Sequence, residues 1–170
     1  TRKESSAASD VYKRQGMDSA LRPRRSVLFM PGANARALEK ARSIDCDGII
    51  IDLEDAVAPD LKVEARERTA GVVRGHPYGY REVAIRVNGM DTQWYHDDLA
   101  AAVAAGPDAI AVPKVGSAEH VHAIVADMEA AGADESVKLW AMIETPRAVL
   151  DCLDIAEASD RLTVPWALTT

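Results

Sequence analysis

The chain has 170 residues, 48% hydrophobic and 28% charged, with a net charge of −7. That is enough for one domain with a real core, and the acidic balance disfavours non-specific binding to nucleic acid or to a membrane surface. No apolar run reaches transmembrane length, no signal-peptide pattern is present, and Cys46 and Cys152 form no CxxC pair, so both read as reduced core thiols of a cytoplasmic protein. At the N-terminus, residues 5–15 match one reading frame of a sequencing-library adapter, so 1–16 is expected to be a non-native, disordered leader and the natural sequence to begin at Met17. Residues 26–30 then form a first strand, and Pro31-Gly32-Ala33-Asn34 a turn in which Asn34 caps a helix over 35–43. A second strand over 48–53 is apolar from Gly48 to Ile51 and is followed by three carboxylates, Asp52, Glu54 and Asp55. Pro59-Asp60 opens a charge-dense helix over 61–74. Strand three covers 82–87, helix three 92–105, strand four 109–112, helix four 117–131 and strand five 137–143. Pro146 starts a fifth helix reaching 158, and 161–164 begins a sixth strand.

About five and a half βα units without hairpin signals predict an α/β fold with a parallel sheet. Two closures satisfy that pattern: an open doubly wound sheet, or a (β/α)8 barrel. A barrel takes ~250 residues, so a barrel here is an incomplete one.

Each strand ends in a turn or in polar residues: Pro31-Gly32, then Asp52, Glu54 and Asp55, then Arg86 and Asn88, then Lys114, then Glu144. In both parallel architectures the C-terminal strand ends carry the site. Carboxylates with an arginine and a lysine around one mouth suit an oxygen-ligated divalent cation and an anionic, oxygen-rich substrate. Each residue also has a plainer reading. Arg86 could pair with Asp52 or Glu54, Lys114 could be a solvated loop lysine, and Glu144 a helix-start acid. His76, His96, His120 and His122 read as surface residues, and Trp140 as core. No GxGxxG, P-loop, HExxH or Gly-x-Ser-x-Gly motif occurs.

Five motifs in order resemble the citrate lyase β-subunit-like family of CoA-ester lyases, which includes malyl-CoA and citramalyl-CoA lyases. They are Arg25-Ser26-Val27-Leu28-Phe29-Met30-Pro31-Gly32, Ile51-Asp52-Leu53-Glu54-Asp55-Ala56-Val57, Arg86-Val87-Asn88-Gly89, Val112-Pro113-Lys114 and Ile143-Glu144-Thr145-Pro146. The resemblance spans residues 22–163 and implies a (β/α)8 barrel, Mg²⁺, and reversible cleavage of a 3-hydroxyacyl-CoA or a citryl thioester into a 2-oxo acid and an acyl-CoA. It also implies that Glu144 is a metal ligand and that Arg86 holds the oxo acid. Glu54 and Asp55 would orient metal-bound water or Arg86, and Pro31, Gly32 and Lys114 would contact substrate. A homo-oligomer, trimer or hexamer, is implied for the intact protein.

The family's second metal ligand, an aspartate in a Gly-Thr-(Asn/Asp/Glu)-Asp motif, is missing. Residues 164–170 read Val-Pro-Trp-Ala-Leu-Thr-Thr, and suitable codons for them, read from the third base of the Pro165 codon, encode Met-Gly-Thr-Asn-Asp. A frameshift after Thr163 is therefore expected, with residues 17–163 as the N-terminal part of the barrel. Without the second ligand and the remaining strands, the 170-residue chain is expected to be inactive, a non-catalytic fragment. The rival enzyme class is a haloacid dehalogenase-like phosphatase on an open sheet. It needs Asp-x-Asp after a strand, where this chain has Asp52-Leu53-Glu54.

Overall fold

The computed structural model describes residues 22–166. In chain order these form β1 (Val27–Pro31), α1 (Ala35–Ala41), β2 (Gly48–Asp52), a 3-10 turn (Pro59–Leu61), α2 (Lys62–Arg74), β3 (Glu82–Arg86) and α3 (Tyr95–Ala105). There follow β4 (Ala109–Val112), α4 (Ala118–Ala130), β5 (Lys138–Met142), the short α5 (Pro146–Leu150) and α6 (Cys152–Ala156), and β6 (Leu162–Trp166). The expected leader, residues 1–16, and the tail residues 167–170 lie outside the described residues. β6 runs through Val164, Pro165 and Trp166, so the first three residues of that tail are strand.

The six strands are parallel and lie in sequence order, β1-β2-β3-β4-β5-β6. A doubly wound sheet reverses its strand order at a switch point and places helices on both faces. This sheet does neither, so the fold is an incomplete (β/α)8 barrel, and the open-sheet phosphatase reading loses its scaffold.

The helices gather on one face because alternate strand residues point there. Ile49, Ile51, Val83, Ile85, Ile110, Val112, Leu139 and Ala141 pack with helix residues such as Leu38, Ala65, Leu99 and Val121. The opposite face, the inside of the barrel, carries a smaller cluster of Ile50, Ala84, Ala109, Ala111 and Trp140, joined by Val27, Phe29, Val164 and Trp166. The three alanines leave the space that Trp140, 2% exposed, fills. Both faces of the central strands are buried, as their unbroken apolar runs predict.

The caps follow local chemistry. Asn34 accepts from the Ala37 amide at 3.0 Å, and Thr145 from the Ala148 amide at 3.2 Å, one residue before Pro146. Three expectations need correction. The fifth helix breaks at Asp151 into two one-turn pieces. Helix three starts at Tyr95 rather than residue 92, because the Thr92 hydroxyl donates to the Gly89 carbonyl and closes a turn. Cys46 is buried but Cys152 is exposed, since it opens α6 on the outward side. Among the described residues no helix is long and apolar enough to cross a membrane.

Candidate active site

The sheet register builds the site. Asp52, the last residue of β2, pairs in register with Arg86, the last residue of β3, so both side chains leave the same face at the same height. Arg86 Nε donates to Asp52 Oδ1 and Nη2 to Oδ2, both at 2.7 Å. This fork-to-fork pair is buried, with Asp52 1% and Arg86 6% exposed. The Asp52 oxygens also accept the Glu54 and Ala56 amides, at 2.8 Å and 2.9 Å. Asp52 therefore organises its own turn as well as Arg86. The guanidinium lies 5.0 Å from the centre of the Phe29 ring. Burial works to lower the Arg86 pKa, but the hydrogen bond and charge of Asp52 together with the charges of Glu54 and Asp55 outweigh it, and the net shift is upward.

With Nε and Nη2 engaged, Nη1 is the nitrogen that remains. It stands 3.0 Å from Glu54 Oε2 and 3.6 Å from Asp55 Oδ2. Glu54 Oε2 is buried without a hydrogen bond, so the 3.0 Å approach to Arg86 is an ion pair lacking hydrogen-bond geometry. Glu54 Oε1 lies 3.6 Å from Lys114 Nζ. Burial raises the Glu54 pKa. Arg86 and Lys114 oppose that shift, while Asp55 and Glu144 add to it. Glu144 itself is exposed at the end of β5. The structure thus brings Arg86, Glu54, Asp55, Lys114 and Glu144 to one mouth at the C-terminal strand ends.

Lys114 reaches this place through an unusual backbone. Its φ of 56° is left-handed, a region uncommon for a residue with a Cβ. The bend after Pro113 turns its side chain toward Glu54.

Pro31 and Gly32 border the same mouth. Gly32 is buried, and its amide donates to the Asp52 carbonyl at 2.9 Å. A Cβ at Gly32 would meet Thr69 Oγ1 at 2.6 Å and the Asp52 carbonyl at 3.0 Å. Glycine is thus required here by close packing of the first turn on β2 and α2, and its N–H is already engaged rather than open to a substrate.

Sequence reasoning missed a buried polar network behind the mouth. Lys62, on the first turn of α2, is 5% exposed. Its Nζ donates to Leu53 O at 2.7 Å, Glu54 O at 2.6 Å and Asn88 Oδ1 at 2.8 Å. Asn88 Nδ2 donates to Asp98 Oδ2 at 2.5 Å, and Arg66 Nε to Asp98 Oδ1 at 2.7 Å. A lysine in a charge-dense helix reads as solvated. Only its position facing two strand ends marks it as different.

The donor set bears on the metal that the sequence implied. Among the described residues no group of three or more His, Cys, Asp or Glu side chains is arranged to hold a metal ion. Glu144 offers one exposed carboxylate, and Glu54 Oε2 is an oxygen without a hydrogen bond beside two further acids. Hard carboxylate oxygens in local excess fit Mg²⁺, which binds through one or two carboxylates and takes water and substrate oxygens for the rest.

The family model for HpcH/HpaI aldolase/citrate lyase matches residues 25–165. A (3S)-malyl-CoA thioesterase of Cereibacter sphaeroides (strain ATCC 17025 / ATH 2.4.3) is 48% identical over 141 residues, which is 83% of this chain and 47% of that protein. The citrate lyase subunit beta of Leuconostoc mesenteroides subsp. cremoris is 36% identical over 83% of this chain and 48% of its own length. Among solved structures, a citrate lyase beta subunit complexed with oxaloacetate and magnesium from M. tuberculosis superposes with a TM-score of 0.66. It is 27% identical and covers 83% of this chain and 56% of that one. The chain spans about half the length of the curated relatives it matches. Strands in sequence order, a mouth built from their C-terminal ends and a match running from β1 into β6 lead to one assignment: the chain belongs to the HpcH/HpaI aldolase/citrate lyase family.

Proposed function

We propose that the intact protein carrying this sequence is a Mg²⁺-dependent carbon-carbon lyase acting on a 3-hydroxyacyl-CoA such as malyl-CoA, citramalyl-CoA or a citryl thioester. The observation that carries this reading is Arg86. It is locked by Asp52 through two nitrogens, with Nη1 beside Glu54, a carboxylate that also feels the charge of the exposed Glu144. A guanidinium fixed in this way is preorganised to hold a carboxylate or a developing oxyanion without reorganising during the reaction.

In the cleavage direction the substrate hydroxyl loses its proton, the bond between C2 and C3 breaks, and its electron pair moves into the thioester as an enolate that is then protonated. The products are a 2-oxo acid and an acyl-CoA. Arg86 Nη1 binds the oxo-acid end, and Glu54 and Asp55 orient that nitrogen. Lys114 Nζ, on its left-handed turn, offsets the Glu54 charge and faces an anionic substrate. Glu144 would hold Mg²⁺, which when bound supplies Lewis-acid polarisation of the oxo-acid oxygens.

A second reading is hydrolysis of the malyl thioester. It is favoured by the 48% identity to a malyl-CoA thioesterase against 36% to the citrate lyase subunit. Incubation of the intact protein with malyl-CoA and Mg²⁺ separates the two. Glyoxylate with acetyl-CoA is the lyase outcome, and malate with free CoA the hydrolytic one. Glu144→Ala is expected to abolish Mg²⁺-dependent turnover, and unchanged activity in that variant sinks the metal assignment.

A further inference from the structure

We infer that Lys62 is a positioning residue of this site: its ammonium fixes the main-chain carbonyls of Leu53 and Glu54 and so holds the Glu54 and Asp55 side chains against Arg86. Three hydrogen bonds, 2.6 to 2.8 Å long, converge on one nitrogen. Only a protonated amine has three hydrogens to give, so the arrangement describes a lysine held as ammonium inside the protein. Burial alone would drive that group toward its neutral form. The charges of Asp52, Asp98, Glu54 and Asp55 act against that shift without cancelling it, the two carbonyls and Asn88 Oδ1 accept its hydrogen bonds, and the Trp94 ring stands 5.2 Å from Nζ.

The two carbonyls depend on Lys62 unequally. Leu53 O also accepts from Asn88 Nδ2 at 2.9 Å. Glu54 O has the Val57 amide at 3.1 Å and otherwise Lys62. Removing the ammonium therefore loosens the peptide that follows the Glu54 side chain, where the chain turns to present Asp55. Behind the ammonium, Asn88 is fixed by Asp98, and Asp98 by Arg66. The anchor thus joins α2, α3 and the ends of β2 and β3. This places the rigidity of the mouth in residues that touch neither a substrate nor a metal.

The inference rests on the reading of Arg86 as an anion clamp for its consequence, but its test does not use turnover. Amide hydrogen exchange is measured on the full chain and on Lys62→Met, comparing Glu54, Ala56 and Val57 with the amides of β4. Protection at residues 54–57 is expected to fall about tenfold to a hundredfold more than in β4, the range set by losing a charge-assisted hydrogen bond. Glu82→Gln, which weakens the Arg24–Glu82 pair at the far end of the barrel, serves as the control and is expected to lower protection without that bias.

Equal loss at the two places in Lys62→Met, or the same bias in Glu82→Gln, overturns the assignment. If Lys62→Met does not fold, Lys62→Arg is read instead. A planar fork spreads its donors over three nitrogens and cannot converge them on these acceptors, so a biased loss is again expected and full protection overturns the assignment. A biased loss here, together with no lyase activity in the intact protein, would refute the proposed function and leave the positioning role standing.

Discussion

Replacing Asp52 with alanine removes the partner that holds Arg86 at the bottom of the mouth. Truncating one member of a buried ion pair costs about 3–5 kcal/mol, because the other charge stays buried. Here the low end applies, since Glu54 Oε2 remains 3.0 Å from the guanidinium. The Glu54 and Ala56 amides also lose their acceptors, at roughly 1 kcal/mol each. The expected loss is therefore about 5 kcal/mol, a third or more of the whole stability of a typical domain, about 5–15 kcal/mol. Urea denaturation followed by circular dichroism reads it as a lower midpoint at unchanged slope. Asp55→Ala is the internal contrast. Its side chain is 80% exposed and 3.6 Å from Arg86, so a change within about 0.5 kcal/mol is expected. A loss below about 1 kcal/mol for Asp52→Ala would falsify the reasoning, because Arg86 would then be held by Glu54 and Asp55 rather than by the in-register pair.

Further perturbations test other parts of the same structure. Gly32→Ala forces a Cβ against Thr69 Oγ1 and the Asp52 carbonyl and is expected to cost about 1–3 kcal/mol in the same urea assay; a neutral result would show that the first turn can move. Lys114→Gly relieves a left-handed residue with a φ of 56° and should raise stability by about 1 kcal/mol while weakening substrate binding, seen as a higher melting temperature together with a higher KM. Asp47 is held by the Arg25 side chain at a pKa of about 2, below its ordinary 3.8. A carboxylate depressed in the folded state contributes stability above its unfolded pKa, and that stability is lost as pH falls through the folded value. Asp47→Asn should therefore flatten the acid limb of a stability-against-pH curve between pH 3.8 and about 2, and an unchanged limb would remove the Arg25 pairing from the account.

The parallel strands and the location of the mouth were legible because they follow from period and punctuation, whereas the sequential strand order was expected only through the family resemblance and is seen in the sheet. Ile49-Ile50-Ile51 reads as a strand buried on both faces, and the turn or polar residues after each strand mark the C-terminal end. What the sequence could not show is which partner each charge takes. Arg86 was readable either as a substrate clamp or as a partner of Asp52, and the register makes it Asp52's partner through two of its nitrogens. Lys62 was invisible because burial of a helix lysine depends on the neighbouring strand ends, which are distant in sequence. The break at Asp151 was missed for a related reason. Residues 146–158 have a helical apolar pattern, but the periodicity does not register that Asp151 leaves helical geometry, with a ψ of 14°.

The sequential strand order has a consequence for how the chain assembles. Among the described strands each later one pairs with the one made just before it, so only the outer edge of β1, which a complete barrel closes against its last strand, waits for a distant late segment. Pairings between successive βα units close short loops, and the entropy of each closure is small and similar from unit to unit. As the chain leaves the ribosome, every new strand meets an edge already in place and covers it. Assembly can therefore advance by accretion, one βα unit at a time, with one growing edge beside the standing outer edge of β1.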